Sequence, residues 1–252
     1  MSTTFPPSLA VIPTYNEAAT LHALIESFAR NVPGIDVLVV DDASPDGTGA
    51  LADRMAATRP WLHVLHRPAK DGLGNAYRAG FAWGLEHSYG AIAQLDADLS
   101  HPPAILPEML GALGRGADLV LGSRYVAGGD TDGWPLHRRL ASRLGCALSA
   151  RTLGLPYSDL SGGLKLWRAS ALVTIDVAST RSQGYVFQVE TTQRAHRAGL
   201  RIVEVPFTFR DRTAGQSKMR ASIAFEGVRM VARLRRSGWQ PQRVASAART
   251  GA

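Results

Sequence analysis

Asp96 and Asp98 close the apolar run AIAQLDADLSHPP (residues 91–103), one residue apart. Two carboxylates that close repel each other and lose hydration on burial, so something must compensate them. On an extended segment, side chains two apart point the same way. Hard oxygen donors so arranged suit Mg²⁺ or Mn²⁺, with coordination positions left over for phosphate oxygens. The structural alternative is that Asp98 or Ser100 caps a helix beginning near Pro102.

Other polar groups stand at comparable places. DDASPDGT (41–48) follows an apolar run, and Asp42 there can accept hydrogen bonds from a nucleotide base or ribose, whereas Asp46 suits a turn or a helix cap. PTYNE (13–17) follows another apolar run, and Arg124 closes a third. GLGNAYRAG (72–80) lacks the third glycine of a dinucleotide fingerprint, and no phosphate-binding G-x-x-x-x-G-K-[ST] loop occurs. In WPLHRRLASRLGCALSARTLG (134–154), Arg138, Arg139 and Arg143 surround Ser142, while Leu136, Leu140, Leu144 and Leu148 recur every four residues. That spacing makes a cationic helix with an apolar stripe, as an ordinary amphipathic surface helix has.

The elements that must position these groups alternate. Runs at 8–13, 36–42, 61–67, 91–98 and 118–125 read as strands, and 17–31, 47–59, 73–88 and 103–114 carry helical apolar spacing. Strands apolar on both faces, separated by helices, imply a mainly parallel sheet covered by helices. Ligands of such sheets bind beyond the carboxyl ends of the strands, so four strand ends deliver their polar groups to one rim. Beyond residue 130 the expected elements are a long helix at 135–153, a strand at 162–168, a helix at 184–198 and an extended segment at 201–210.

Composition narrows the class. The 252 residues, 45% hydrophobic and 19% charged, suffice for one α/β domain with a tail. Residues 1–7 read as a flexible start without a secretory pattern, 8–220 as the α/β domain, and 221–252 as a basic amphipathic helix with a disordered end. The net charge of +7 sits mostly from Arg220 onward, in seven arginines against Glu226 alone. That placement argues against a nucleic-acid partner and for an anionic one met by the terminal segment. A lone Cys146 excludes an internal disulfide and reads as core filler, consistent with a reducing cytoplasm.

PTYNE, DDASPDGT, DGLGNAYRAG, DADLSHPP, GSRY and FRDRTAGQSK, in this order, resemble the dolichol-phosphate or polyprenol-phosphate mannose synthases. These are inverting family 2 glycosyltransferases of the GT-A (nucleotide-diphospho-sugar transferase) fold, a mainly parallel mixed sheet flanked by helices. The resemblance spans roughly residues 8–220. It implies that Pro13, Tyr15 and Glu17 flank the donor nucleotide, that Val40 and Asp42 read its base side, and that Asp96, Ala97 and Asp98 surround a Mg²⁺ or Mn²⁺ ion and the diphosphate. Ser100 stands where some relatives place a metal-holding glutamine. Arg124, Arg212 and Lys218 match phosphate-holding positions, with Asp96, Asp98 and Arg124 as the catalytic set. Arg138 and Ser142, with Arg139 beside them, would grip the acceptor phosphate.

The resemblance further implies transfer of mannose from GDP-mannose to a polyprenyl phosphate, or of glucose from UDP-glucose in the alternative. A phosphate monoester has a second pKa of roughly 6 and arrives anionic, so no general base is required. No stretch of about 18 uninterrupted apolar residues occurs, so the expectation is a cytoplasmic protein, peripheral on the inner face of the membrane and docked directly or through an anchoring subunit. A nucleotidyltransferase would carry a Gly-rich basic loop where PTYNE stands. A noncatalytic membrane or anion-binding module is the third possibility.

Overall fold

The computed structural model describes residues 6–211 together with Val231, Leu234, Arg235 and Trp239. The order along the chain is β1 (Ser8–Thr14), α1 (Ala18–Asn31), β2 (Ile35–Asp41), α2 (Thr48–Ala56), β3 (Leu62–His66), α3 (Leu73–Glu86), β4 (Ala91–Gln94), α4 (Leu106–Gly114) and β5 (Leu119–Ser123). There follow β6 (Asp130–Asp132), α5 (Leu136–Leu153), β7 (Lys165–Arg168), α6 (Ala169–Thr174), α7 (Gly184–Arg197), β8 (Ile202–Pro206) and β9 (Thr208–Arg210).

Seven strands form one sheet in the order β3-β2-β1-β4-β7-β5-β8. All pair in parallel except β7, which runs antiparallel to both β4 and β5. The strands are apolar on both faces because each face is covered. Leu21, Leu24, Ile25 and Phe28 of α1 join Met109 and Leu113 of α4 on one side, and Tyr77 and Phe81 of α3 join Leu172 of α6 and Phe187 of α7 on the other. Side chains of this kind contribute about 1.5–3 kcal/mol each when fully buried. Gly80 lets α3 lie close to the sheet, since a β-carbon there would stand 2.3 Å from Val11.

The chain leaves β1 first towards β2 and β3, then crosses back to β4, so the strand order reverses between β1 and β4. Crevices open at the carboxyl ends of strands at such a reversal. Both the PTYNE and the DADLS segments therefore emerge beside it.

Three elements are too short to show a period. β6 and β9 form a separate parallel pair of three residues each, and α6 is only six residues long. Strand β7 carries Lys165 into the core, where Nζ donates to the Gln188 carbonyl at 2.6 Å and to the hydroxyls of Thr191 and Thr192 at 3.1 and 2.9 Å. Burial pushes this amine well below its ordinary range.

The α5 stripe turns outward: Leu136, Leu140, Leu144 and Leu148 are 51–71% exposed, and Cys146 is the buried residue of the helix. Near the C-terminus, Val231 and Leu234 pack with Leu155, Leu160, Val186 and Val189, and Trp239 lies 5.0 Å from the Arg194 guanidinium. These positions of the basic terminal segment fold back on the domain, so their apolar side is spent on α7. Ile223 and Val228 of the same segment lie outside the described residues.

Candidate active site

Hydrogen bonds tie together the ends of β1 and β2. Thr14 Oγ1 donates to Asp41 Oδ1 at 3.0 Å, and the Ser44 amide and hydroxyl reach the same carboxylate at 3.0 and 2.6 Å. The Asn16 amide donates in turn to Ser44 Oγ at 3.1 Å. Asp46 accepts from the Thr48 amide and hydroxyl and from the Ala18 amide, fixing the starts of α1 and α2 at once. Burial alone would raise its pKa, but these bonds outweigh it and hold the carboxyl below the usual range. Asp41 and Asp46 thus build the loop.

Asp42 faces different company. It is buried and paired with Arg67 at 2.5 Å, while Arg67 also holds Asp71. Burial raises the Asp42 pKa, only partly offset by the Arg67 charge and hydrogen bond. A carboxylate acceptor and a guanidinium donor therefore stand side by side at the ends of β2 and β3. The Lys70 amine lies 3.6 Å above the Tyr15 ring nearby. Val40 does not share this rim: it is fully buried in the core against α3. Ala97 likewise packs inward, and Pro13, Tyr15 and Glu17 are half-buried at the β1 end.

Strand β4 stops at Gln94, so Asp96 and Asp98 sit on a bend and not on the extended strand that the sequence pattern suggests. Asp96 is 30% exposed at its side chain. Its amide donates to His101 Nδ1 at 3.1 Å, and Tyr77 Oη donates to the Leu95 carbonyl at 3.1 Å. Asp98 is buried, and its Oδ1 accepts from the Ser100 amide at 3.0 Å and hydroxyl at 2.5 Å. Ser100 is thereby a donor that orients Asp98. His101 is buried against Phe207 and Phe209, and burial lowers its pKa despite the opposing charges of Asp96 and Asp98. With Nδ1 accepting, the neutral ring carries its proton on Nε2.

Two carboxylates on one loop, one of them reaching the rim, match an ion bound by one or two acids plus substrate phosphates, as Mg²⁺ and Mn²⁺ are. Among the described residues no group of three His, Cys, Asp or Glu could hold a metal. An ion at Asp96 and Asp98 would complete its coordination with a ligand's oxygens.

Arg124 is not an open phosphate-holding group. Its Nε and Nη2 each donate to Asp159 at 2.7 Å, its Nη2 also reaches Ser161 Oγ at 3.0 Å, and both charged groups are buried. Burial disfavours the Arg124 charge, but Asp159 outweighs it and raises the pKa; Asp159, desolvated too, is held below the usual range by Arg124 and by the Arg124 and Gly162 amides. Asp159 gathers three elements, because Cys146 of α5 also lies 3.8 Å from it. Its loop continues to Gly163, where a β-carbon would stand 3.2 Å from both Asp96 Oδ1 and His101 Cε1. Arg124 thus braces the Asp159 loop against the end of β5.

On α5, Arg138 pairs with Asp211 at 3.0 Å and covers the Trp134 ring at 3.9 Å. Ser142 Oγ accepts from Tyr125 Oη at 2.6 Å. Arg139 points away from this pair: it binds Asp130 at 3.0 Å and the Thr131 carbonyl, anchoring α5 to β6. Arg138 and Arg139 are thus each paired with one carboxylate. Arg212 and Lys218 lie outside the described residues. Arg67 and Asp159 were missed by sequence reasoning, since their partners are 25 and 35 residues away.

The chain matches the description "Glycosyl transferase family 2" over residues 9–175. It is 50% identical to an undecaprenyl-phosphate mannosyltransferase of Micrococcus luteus, across 89% of this chain and 92% of that one. A polyprenol monophosphomannose synthase of Mycolicibacterium smegmatis is 44% identical, across 89% and 85%. Among solved structures, glucosyl-3-phosphoglycerate synthase from Mycobacterium tuberculosis, in complex with Mn²⁺, UDP-glucose and phosphoglyceric acid, superposes with a TM-score of 0.69 at 20% identity, covering 94% of this chain and 81% of that one. This last likeness concerns the fold.

Proposed function

The chain belongs to glycosyl transferase family 2, in the branch of the polyprenyl-phosphate mannose synthases, and we propose that it transfers mannose from GDP-mannose to a polyprenyl monophosphate and releases GDP. One observation carries the reading. The sheet edge that presents Asp96 and Asp98 is joined, through the Tyr125–Ser142 hydrogen bond, to an arginine-bearing helix with an exposed leucine ridge. A donor diphosphate and a lipid phosphate are the two ligands such an edge would bring together.

The base lies at the ends of β2 and β3. Guanine offers adjacent N–H donors to a carboxylate and a carbonyl oxygen to a cation, and Asp42 with Arg67 supplies that complement. Asp96 and Asp98 would hold the Mg²⁺ or Mn²⁺ ion, which when bound neutralises charge on the leaving diphosphate. Tyr77, His101 and Ser100 keep that loop in place through the bonds described. Arg212 and Lys218 are proposed to add cations to the same phosphates.

The acceptor phosphate, already anionic, attacks the anomeric carbon opposite GDP; one C–O bond forms as the other breaks, and no proton moves. Arg138 and Ser142 would orient it, with the Arg138–Asp211 pair yielding to the arriving phosphate. Positioning of this kind replaces base catalysis.

No helix of the described residues is long and apolar enough to cross a membrane. Each leucine of the α5 ridge, 51–71% exposed, forgoes about half or somewhat more of the roughly 1.5–3 kcal/mol of full burial, which bilayer contact would recover. Docking this ridge on the cytoplasmic face brings the rim to the phosphate of a lipid that stays in its bilayer.

The test is transfer of radiolabelled mannose from GDP-mannose to decaprenyl phosphate, with and without Mg²⁺ or Mn²⁺. Metal-dependent lipid product is expected. Lipid product from UDP-glucose alone would overturn the donor assignment, and no product with any prenyl phosphate would overturn the reaction.

A further inference from the structure

The arginines around the acceptor region are not equivalent. Arg124 is neutralised by Asp159, Arg138 by Asp211 and Arg139 by Asp130. Arg143 is exposed, makes no ion pair among the described residues, and lies 5.4 Å from the Tyr125 ring. It also borders a crevice of about 510 Å³ lined by Tyr125, Arg143, Ala147, Ala150, Tyr157 and Ser158.

Three features give this crevice a direction. Its wall includes Tyr125, whose hydroxyl is bonded to Ser142, so it adjoins the proposed phosphate position. Arg143 and Ala147 stand three and seven residues after Leu140 on α5, on the same side of the helix as the exposed ridge. The small side chains of Ala147 and Ala150 leave the space open, while Tyr157 is fixed by a hydrogen bond shared with His196 Nδ1 at 3.1 Å.

We propose that this crevice is a capture subsite for the lipid acceptor. Arg143 takes the phosphate of the arriving polyprenyl phosphate, and Ala147, Ala150 and Tyr157 receive its phosphate-proximal isoprene units, before the headgroup passes to Ser142 and Arg138. The inference rests on the proposed mannosyl transfer to a prenyl phosphate. An anion approaching Arg143 meets a full positive charge, whereas at the other three arginines it must first displace a carboxylate.

The experiment measures steady-state transfer by the full chain from GDP-mannose to decaprenyl phosphate, in neutral detergent and in vesicles containing anionic phospholipid. Arg143→Gln should raise the acceptor KM about tenfold in both media and leave the donor KM unchanged. Arg143→Lys should restore much of the loss, and Ala147→Trp, which fills the crevice, should raise the acceptor KM alone. Arg151→Gln, in the last turn of α5 and not among the residues that line the crevice, reports on general attraction to the bilayer. An Arg143→Gln effect confined to anionic vesicles and matched by Arg151→Gln would mean that Arg143 meets bilayer headgroups, overturning the proposal. Unchanged acceptor KM in Arg143→Gln or Ala147→Trp, with active wild type, overturns it too. A wild type that transfers mannose to no prenyl phosphate overturns the underlying reaction instead.

Discussion

Tyr125 Oη donates to Ser142 Oγ at 2.6 Å, joining the residue just past β5 to the middle of α5. The bond makes the sheet edge and the acceptor helix one unit. A half-buried neutral hydrogen bond contributes about 0.5–1.5 kcal/mol. Tyr125→Phe should therefore raise the acceptor KM by about 3–10-fold while the donor KM holds, as measured by varying each substrate separately.

Asp98→Asn keeps the shape of a side chain that accepts from Ser100 but removes its charge. Turnover should fall by about 100-fold or more, the scale expected for losing a preorganised electrostatic contact in a transition state. Circular dichroism should show the fold retained. Mn²⁺ titration in the presence of GDP should show weaker binding; kinetics equal to wild type would contradict the metal assignment.

Asp159→Ala leaves Arg124 buried without its carboxylate, and breaking a buried pair in this way costs about 3–5 kcal/mol. Thermal unfolding should show a large drop in Tm. The pair also fixes an acid dependence. Asp159 titrates lower in the folded protein than its unfolded value of about 3.9. Its stabilisation is complete above that value and is lost as pH falls through the lower folded pKa. In Asp159→Asn this part of the acid dependence should vanish from unfolding curves recorded between about pH 5 and pH 2.

Leu140→Glu with Leu144→Glu places two charges on the exposed ridge of α5. Sedimentation with anionic vesicles should fall at least tenfold, with activity on detergent-dispersed acceptor largely preserved. Equal vesicle binding would show that another surface faces the bilayer.

Much of this arrangement was legible in the sequence because α/β strands buried on both faces announce themselves as apolar runs. The rim followed from where those runs ended, and the leucine spacing of α5 was visible as a stripe. Its outward direction was not, since periodicity reports that a face is apolar without saying what covers it. Asp159 was invisible for a different reason: its partner is 35 residues distant and no local pattern marks a buried ion pair. The anchoring of Arg139 was hidden as well, because Asp130 and Thr131, which hold it, lie in a strand too short to show alternation.

The reversal of β7 has a consequence for how the protein can diversify. Every parallel strand hands a segment to the working edge as it finishes, whereas β7 receives its segment from that edge as it begins. Residues 154–164 thus bridge α5 to the sheet and pass beside the Asp96–Asp98 bend. Exchange of this bridge together with α5 can alter the helix without disturbing that bend only where Asp159 and Gly163, which meet Arg124 and Asp96, are kept.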